Sequence, residues 1–338
     1  MHTTHLIGAT GNIGKRIVEK GGDLHNINVI SRFELKLDQR PLYYNFDSKS
    51  IGGTAIKEGD IIIFAAAISE PSVVSAQFEK AFTVNVESTG DFIEKALEKG
   101  CKVLFLSSDT VYGNVEKGFN EDQPVNPRGA YAEMKAVIEK RFLGNPNFRV
   151  FRLSYNFHKD DRFTKYLRQC AESGVEAEIF DPLKRAVIHR DDTVDAILNL
   201  CEGSKTETNE EPGWKASEPV GPIINCGGPK VISRQELTEI IKRVALPNLK
   251  YKVTRPPAKF YGDRPEVINM ICNGSHCKKC MPIEMYLGRL HTPIEEAVKI
   301  EFGLSGEVPK FGSQIYDRWP DGNIKNAGAV FVPPEDVE

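Results

Sequence analysis

The chain has 338 residues, 40% hydrophobic and 27% charged, enough to bury a sizeable core in one large or two associated domains. A formal net charge of −3 and a pI near 6.2 offer no basic face for a nucleic acid. No apolar run approaches the ~20 residues that span a bilayer, and the first residues lack the basic start and cleavage site of a signal peptide. The expected setting is therefore cytoplasmic, with no membrane partner. There the seven cysteines, odd in number and scattered (101, 170, 201, 226, 272, 277, 280), read as reduced thiols rather than a disulfide framework.

In chain order, the first half alternates short apolar runs with helical patterns. Leu6-Ile7 is a predicted strand entering a glycine-rich turn, and Asn12–Gly21 reads as a helix. Strands are expected at 28–30, 42–44 and 61–65. Phe78, Phe82, Val86, Phe92, Ile93 and Leu97 have the spacing of one long helix that ends at Gly100. A fifth strand at 102–106, a helix at 131–142 and a sixth strand at 149–153 follow. Such alternation implies an α/β fold with a doubly wound parallel sheet, whose ligand crevice lies beyond the strand C-termini. After about residue 155 the pattern loosens. Residues 204–222 are polar with three prolines and suit an exposed excursion, whereas Ser233 and Glu236 form a capping box for a helix reaching Val244. The tail from Pro309 reads as a surface segment.

Gly8-Ala9-Thr10-Gly11-Asn12-Ile13-Gly14 sits between a strand and a helix. There bare backbone N–H groups can approach a pyrophosphate, so Gly8, Thr10, Gly11, Asn12, Ile13 and Gly14 are candidate dinucleotide contacts. An acidic residue ending the second strand would bind the ribose of NAD and repel a 2′-phosphate. Ser31-Arg32 stands there instead, which favours NADP(H) over NAD(H), although Arg32 also fits a solvated loop cation. Asp47 is a candidate adenine partner or a loop cap. Tyr131 and Lys135 are four apart on one helical face, where an ammonium favours the phenolate and brings the phenol toward working range. Ser108, ending the fifth strand, is placed to hold a substrate oxygen beside Tyr131.

Together with Phe64-Ala65-Ala66-Ala67, Val84-Asn85-Val86, Ser107-Ser108-Asp109-Thr110-Val111-Tyr112-Gly113, Glu121-Asp122-x-Pro124-x-x-Pro127, Arg152 through Asn156, Val187 to Asp192 and Asn225-Cys226-Gly227-Gly228, these motifs resemble the extended short-chain dehydrogenase/reductase family. The likeness is to its nucleotide-sugar epimerases, dehydratases and 4-keto-reductases, and it runs from about residue 4 to 300. It implies a Rossmann sheet in 1–156, about 186–200 and 223–228. A smaller α/β substrate-binding domain would occupy about 157–185, 201–222 and 229–310, with 311–338 as a tail. It further implies Ser108, Tyr131 and Lys135 as the catalytic trio, and Ala65, Ala66, Ala67 and Asn85 beside the cofactor. Asn156 would contact the sugar or its phosphate, and Arg185 and Arg264 would clamp a diphosphate or serve as ion-pair partners. A homodimer through the helices of 73–100 and 129–144 is implied too, with Phe78, Phe82, Phe92 and Phe142 as candidate apolar surface.

Within that family dehydratases place Asp then Glu after the serine. Here Asp109 is followed by Thr110, which cannot abstract a carbon-bound proton. Asp109 fits a catalytic acid or a structural acceptor equally. The reading that remains is NADPH-dependent reduction of a nucleotide-linked 4-keto sugar, with C4 epimerisation and non-catalytic NADP(H) binding as alternatives. Cys272, His276, Cys277 and Cys280 mimic a metal motif, yet no fourth cysteine follows, and they read as thiols with no metal.

Overall fold

In a computed structural model the described residues are 2–21, 27–31, 42–43, 56–119, 121–202, 221–257, 260, 264–270, 283–287, 290–304, 318–319 and 323–324. Its first half contains β1 (Thr4–Ile7), α1 (Asn12–Gly21), β2 (Ile27–Ser31), β3 (Leu42–Tyr43) and β4 (Ile61–Phe64). Then come α2 (Pro71–Ala76), α3 (Phe78–Phe82), α4 (Thr89–Glu98), β5 (Lys102–Ser108), α5 (Ala130–Phe142) and β6 (Phe148–Leu153). The second half adds β7 (Asn156–Phe157), α6 (Arg162–Ser173), β8 (Ala177–Phe180), β9 (Lys184–Ala186), β10 (Ile188–His189), α7 (Arg190–Glu202) and β11 (Ile223–Cys226). It closes with β12 (Val231–Ser233), α8 (Arg234–Val244), β13 (Tyr251–Thr254), β14 (Val267–Ile268), α9 (Ile283–Leu287) and α10 (Ile294–Glu301).

Seven strands form one parallel sheet in the order β11-β6-β5-β4-β1-β2-β3. Helices cover both faces, so β1 and β4 are buried at every position, and β4 reads as a continuous apolar run rather than an alternating one. One face packs Ile17 of α1, Val194 and Ile197 of α7, and Tyr286 and Leu287 of α9. The other packs Phe92 and Ile93 of α4 and Ile138 and Phe142 of α5. The chain reverses its winding between β1 and β4, which opens the crevice of a doubly wound fold there.

The expected helix over 78–100 runs on from Phe78 to Glu98, set off from α2 by Gln77, but Thr83–Ser88 within it forms a π-helical turn. The extra residue of such a turn re-aims one side chain, here Asn85, whose Oδ1 accepts from Ile68 N at 2.8 Å and whose Nδ2 donates to Ile68 O at 2.9 Å. Of the four phenylalanines considered for a dimer face, Phe92 and Phe142 lie in the chain's own core. Phe82 is partly buried, and Phe78 is exposed.

The second half builds a third core from α6, α8 and α10. Beside it stand a three-stranded sheet β12-β9-β14 and the parallel pair β13·β8. The capping box of α8 forms as expected: Ser233 Oγ accepts from Glu236 N at 3.0 Å, and Ser233 N donates to Glu236 Oε2 at 2.6 Å. Asp192, fully buried, accepts from Thr292 N and Oγ1 and so ties α7 to the segment before α10. The excursion 203–220, the tail beyond 324 and the cysteine cluster at 272–280 lie outside the described residues. Cys101, Cys170, Cys201 and Cys226 are free and buried.

Within β1, an interior strand, the buried His5 ring pairs through Nε2 with Asp60 Oδ2 at 2.9 Å. Burial holds the imidazole below its ordinary 6.5, against the opposing pull of Asp60. A folded value below the unfolded one stabilises the protein above 6.5, and that contribution is lost as pH falls below it. We expect the melting temperature to drop between pH 7 and 5, and the drop to be smaller in His5→Gln. An unchanged slope in that variant would remove His5 from the acid response.

Candidate active site

The glycine turn runs from the C-terminal end of β1 into α1. Gly8 has φ +97°, and a Cβ there would stand 2.6 Å from Ala66 N; one on Gly14 would stand 2.2 Å from Gly8 O. These two glycines are demanded by the chain's own packing. Gly11 is different: its Cβ would meet only Gly8 O, at an ordinary 3.5 Å, and Thr10, Gly11 and Asn12 are exposed. The open side of the turn is thus the side a ligand approaches, with the unpaired first-turn N–H groups of α1 facing it. These residues fit a dinucleotide pyrophosphate. Ala65 N donates to Ile7 O at 2.8 Å, and Asn85 fixes the neighbouring Ile68, so the Ala65-Ala66-Ala67 segment is held directly against Gly8. Asn85 acts here on the loop, its amide occupied within the chain. Ser31 ends β2, while its side chain, Arg32 and Asp47 lie outside the described residues.

Ser108, Asp109, Thr110, Tyr131 and Lys135 meet at the C-terminal end of β5. Ser108 caps the short 3-10 turn Asp109–Tyr112: its Oγ accepts from Thr110 N at 3.2 Å and from Thr110 Oγ1 at 2.9 Å, and donates to Asp109 Oδ1 at 3.3 Å. Lys135, 4% exposed, donates to Leu106 O at 2.7 Å and stands over the rings of Phe105 (4.4 Å) and Tyr131 (5.8 Å). Burial lowers its ammonium to about 7, with Glu139 opposing. The expected depression of the Tyr131 phenol is not what this arrangement gives. Burial, reinforced by Asp109, pushes the phenol above its ordinary value, so it is held protonated. Asp109 is itself raised by burial, against Arg185, Ser154 and Ser108.

Arg185 is placed differently from a diphosphate clamp. Its Nη1 donates to Lys184 O and Glu266 O, its Nη2 to Pro265 O at 2.8 Å, and its Nε lies 3.6 Å from Asp109 Oδ2. It therefore joins β9 and the β14 segment to the catalytic turn. Two further bonds reinforce that join: Val115 N donates to Val267 O, and Asn269 N to Val115 O. Asn156 is likewise engaged, accepting from Thr193 Oγ1 at 2.5 Å and donating to Ser154 O at 2.9 Å. Arg264 lies over Phe260, 4.2 Å from its centroid.

Two charged residues had gone unremarked in the sequence. Arg234, at the start of α8, sits over Phe163 and within electrostatic reach of Arg185 and Arg264. Glu139, two turns beyond Tyr131 on α5, is 2% exposed and paired with equally buried Arg152. A charge on a helix face where the pattern calls for an apolar residue is the signal that marks Glu139. Among the described residues His189, Asp191 and Glu301 cluster within 4.8 Å, but Arg16 binds both oxygens of Asp191 and His189 pairs with Glu301 at 3.0 Å. The cluster is an ion-pair network. No helix among the described residues is long and apolar enough to cross a membrane.

The RmlD substrate binding domain profile matches residues 2–214. Methionine adenosyltransferase 2 subunit beta of Bos taurus is 28% identical over 145 residues; this chain covers 42% of that relative's length, and the match 41% of this chain. UDP-glucuronic acid 4-epimerase from Bacillus cereus, solved with UDP-glucuronic acid and NAD, superposes with a TM-score of 0.66 at 17% identity, covering 89% of this chain and 98% of that one. L-threonine dehydrogenase from Phytophthora infestans superposes at 0.70 and 14% identity, with the same coverage.

Substitution in the turn separates packing from binding. Gly14→Ala should cost about 1–3 kcal/mol in denaturant unfolding. Gly11→Ala should stay within about 1 kcal/mol of wild type yet weaken nicotinamide dinucleotide binding about tenfold or more in a fluorescence titration. Equal stability losses in both variants would contradict the distinction.

With the profile matching more than half of it, the chain belongs to the RmlD substrate binding domain family of NAD(P)-dependent reductases and epimerases, on the extended short-chain dehydrogenase fold.

Proposed function

We propose that the protein reduces a nucleotide-linked 4-keto sugar with NADPH. The observation that carries this reading is the meeting of Tyr131, Lys135 and the Ser108 turn at the C-terminal end of β5, where the phenol can supply the proton that carbonyl reduction consumes. NADPH, when bound, supplies the hydride. Tyr131 delivers the proton to the ketone oxygen, and Ser108 holds that oxygen. Lys135, four residues on, orients the phenol and reaches toward the nicotinamide ribose. Thr110 contributes no base, because its hydroxyl donates to Ser108. The choice of NADP over NAD rests on Ser31-Arg32, and Asp47 is assigned to the adenine. Gly8, Thr10, Gly11, Asn12, Ile13, Gly14 and Ala65 to Ala67 line the cofactor, with Asn85 holding the last of these in place.

Arg264 and Arg234 are the cations assigned to the substrate diphosphate. Arg185 is committed to Asp109 and serves the sugar end with Asn156. Arg185, Arg234 and Arg264 lie within electrostatic reach of one another, with Asp109 and Asp161 nearby, and guanidinium groups so gathered suit an anionic ligand. The structural likeness to a UDP-glucuronic acid 4-epimerase supports a nucleotide-sugar substrate, and it keeps C4 epimerisation with retained NAD as a second reading. A third reading, NADP(H) binding without turnover, stays beside these, since one relative is named as a subunit of another enzyme.

The test is NADPH oxidation with nucleotide-linked 4-keto sugars carrying UDP, dTDP, GDP or CDP. Tyr131→Phe should lower kcat about 10²–10⁴-fold while still binding NADPH. Arg264→Met and Arg234→Met should raise KM about tenfold or more. Turnover that survives in Tyr131→Phe would sink the assignment. Tight NADPH binding with no turnover of any ketosugar would favour the third reading.

A further inference from the structure

Glu139 is a carboxylate buried beneath the α5 face that carries Tyr131 and Lys135. It follows Lys135 by four residues and Tyr131 by eight, so all three share a side of the helix. Its Oε1 accepts from Ser107 Oγ at 2.5 Å. Arg152 of β6 reaches it in a fork, Nε at 3.2 Å from both oxygens and Nη2 at 2.5 Å from Oε2. The guanidinium in turn lies 4.5 Å over the ring of Tyr112, the last residue of the catalytic 3-10 turn. Tyr112 Oη donates to Asn225 Oδ1 at 2.7 Å, and Asn225 N donates to Glu121 Oε1 at 3.0 Å. The carboxylate is thereby tied to the residue before Ser108 and, through Arg152, to the end of the turn that Ser108 caps.

We propose that Glu139 is a positioning residue of the active site, which sustains the positive charge of Lys135 and fixes α5 in register with the Ser107-Ser108 end of β5. A buried pair is costly to desolvate, and well-packed apolar residues of equal volume would stabilise as well. Lys135 lies one turn away in the same dry layer, with Phe105 and Leu106 of β5 on one side and Tyr131 on its own helix. Of the groups around it, Glu139 is the one that opposes its loss of charge, while Asp109 acts on Tyr131. An uncharged Lys135 would lose its hold on a ribose hydroxyl and on the phenol.

The inference rests on Lys135 acting at the cofactor, so its test reads Lys135 itself, without substrate. Side-chain NMR of the full chain labelled with ¹⁵N-lysine follows the Lys135 ammonium against pH, with NADP⁺ bound. Glu139→Gln should move its midpoint down by about one pH unit or more. Ser107→Ala, which weakens the pin and leaves the charge, should lower the melting temperature and leave the midpoint in place. Glu139→Asp, with its carboxylate one methylene further back, should shift the midpoint the same way by less, and it carries the test should Glu139→Gln not fold. A midpoint that both Glu139 variants leave unmoved overturns the proposal, as does a Ser107→Ala shift as large as theirs. Turnover of ketosugars has no bearing on either result.

Discussion

Arg152 and Glu139 place two opposite charges at 2% exposure in the layer between the sheet and α5. A lone charge there would be prohibitive, so each must be met by hydrogen-bonding groups in fixed positions. Ser107 and Tyr112 supply part of that fixed surrounding, and both flank the turn on which Ser108 sits. The pair ties β6 to α5 and, through Ser107 and the ring of Tyr112, both of them to β5 and the 3-10 turn. The phenol, ammonium and serine hydroxyl inherit their geometry from those ties. Apolar packing alone, which tolerates small slides, gives less specific placement.

A second join crosses from the smaller half of the molecule. Arg185 is held by the carbonyls of Pro265 and Glu266 and faces Asp109, while Val115 bridges to the β14 segment. The catalytic turn is thus built partly from the region that would receive substrate. Asp109 lies against Ser108 and joins burial in raising the Tyr131 phenol.

Much of the fold was legible because parallel strands covered on both faces must be apolar throughout. The runs at Leu6-Ile7, Ile61 to Phe64 and Val103 to Leu106 could be little else, and Ser233 with Glu236 announced its capping box. The glycine turn and the Tyr131–Lys135 spacing were legible because local chemistry requires them. The π turn was not, since Phe78, Phe82 and Val86 keep a helical rhythm straight into it. Asn85's partner is 17 residues away, Arg185's carboxylate 76, and Arg152's is on another element. Pairings of that kind are set by sheet order rather than by neighbours in sequence. The direction of the Tyr131 shift was also beyond local reading. The effect of a lysine four residues off can be reasoned from spacing, but burial and Asp109 enter only through the fold.

The central claim is that Tyr131 gives a proton to a ketone that takes its hydride from a dissociable NADPH. The most direct measurement is mass spectrometry of the sugar product after reaction with NADPH deuterated at the transferring position. The account predicts one deuterium at the former carbonyl carbon and NADP⁺ released in equal amount. An isomerised sugar without deuterium, its cofactor still bound, would contradict it in favour of epimerisation. Unaltered ketosugar and NADPH would contradict it in favour of a binding role.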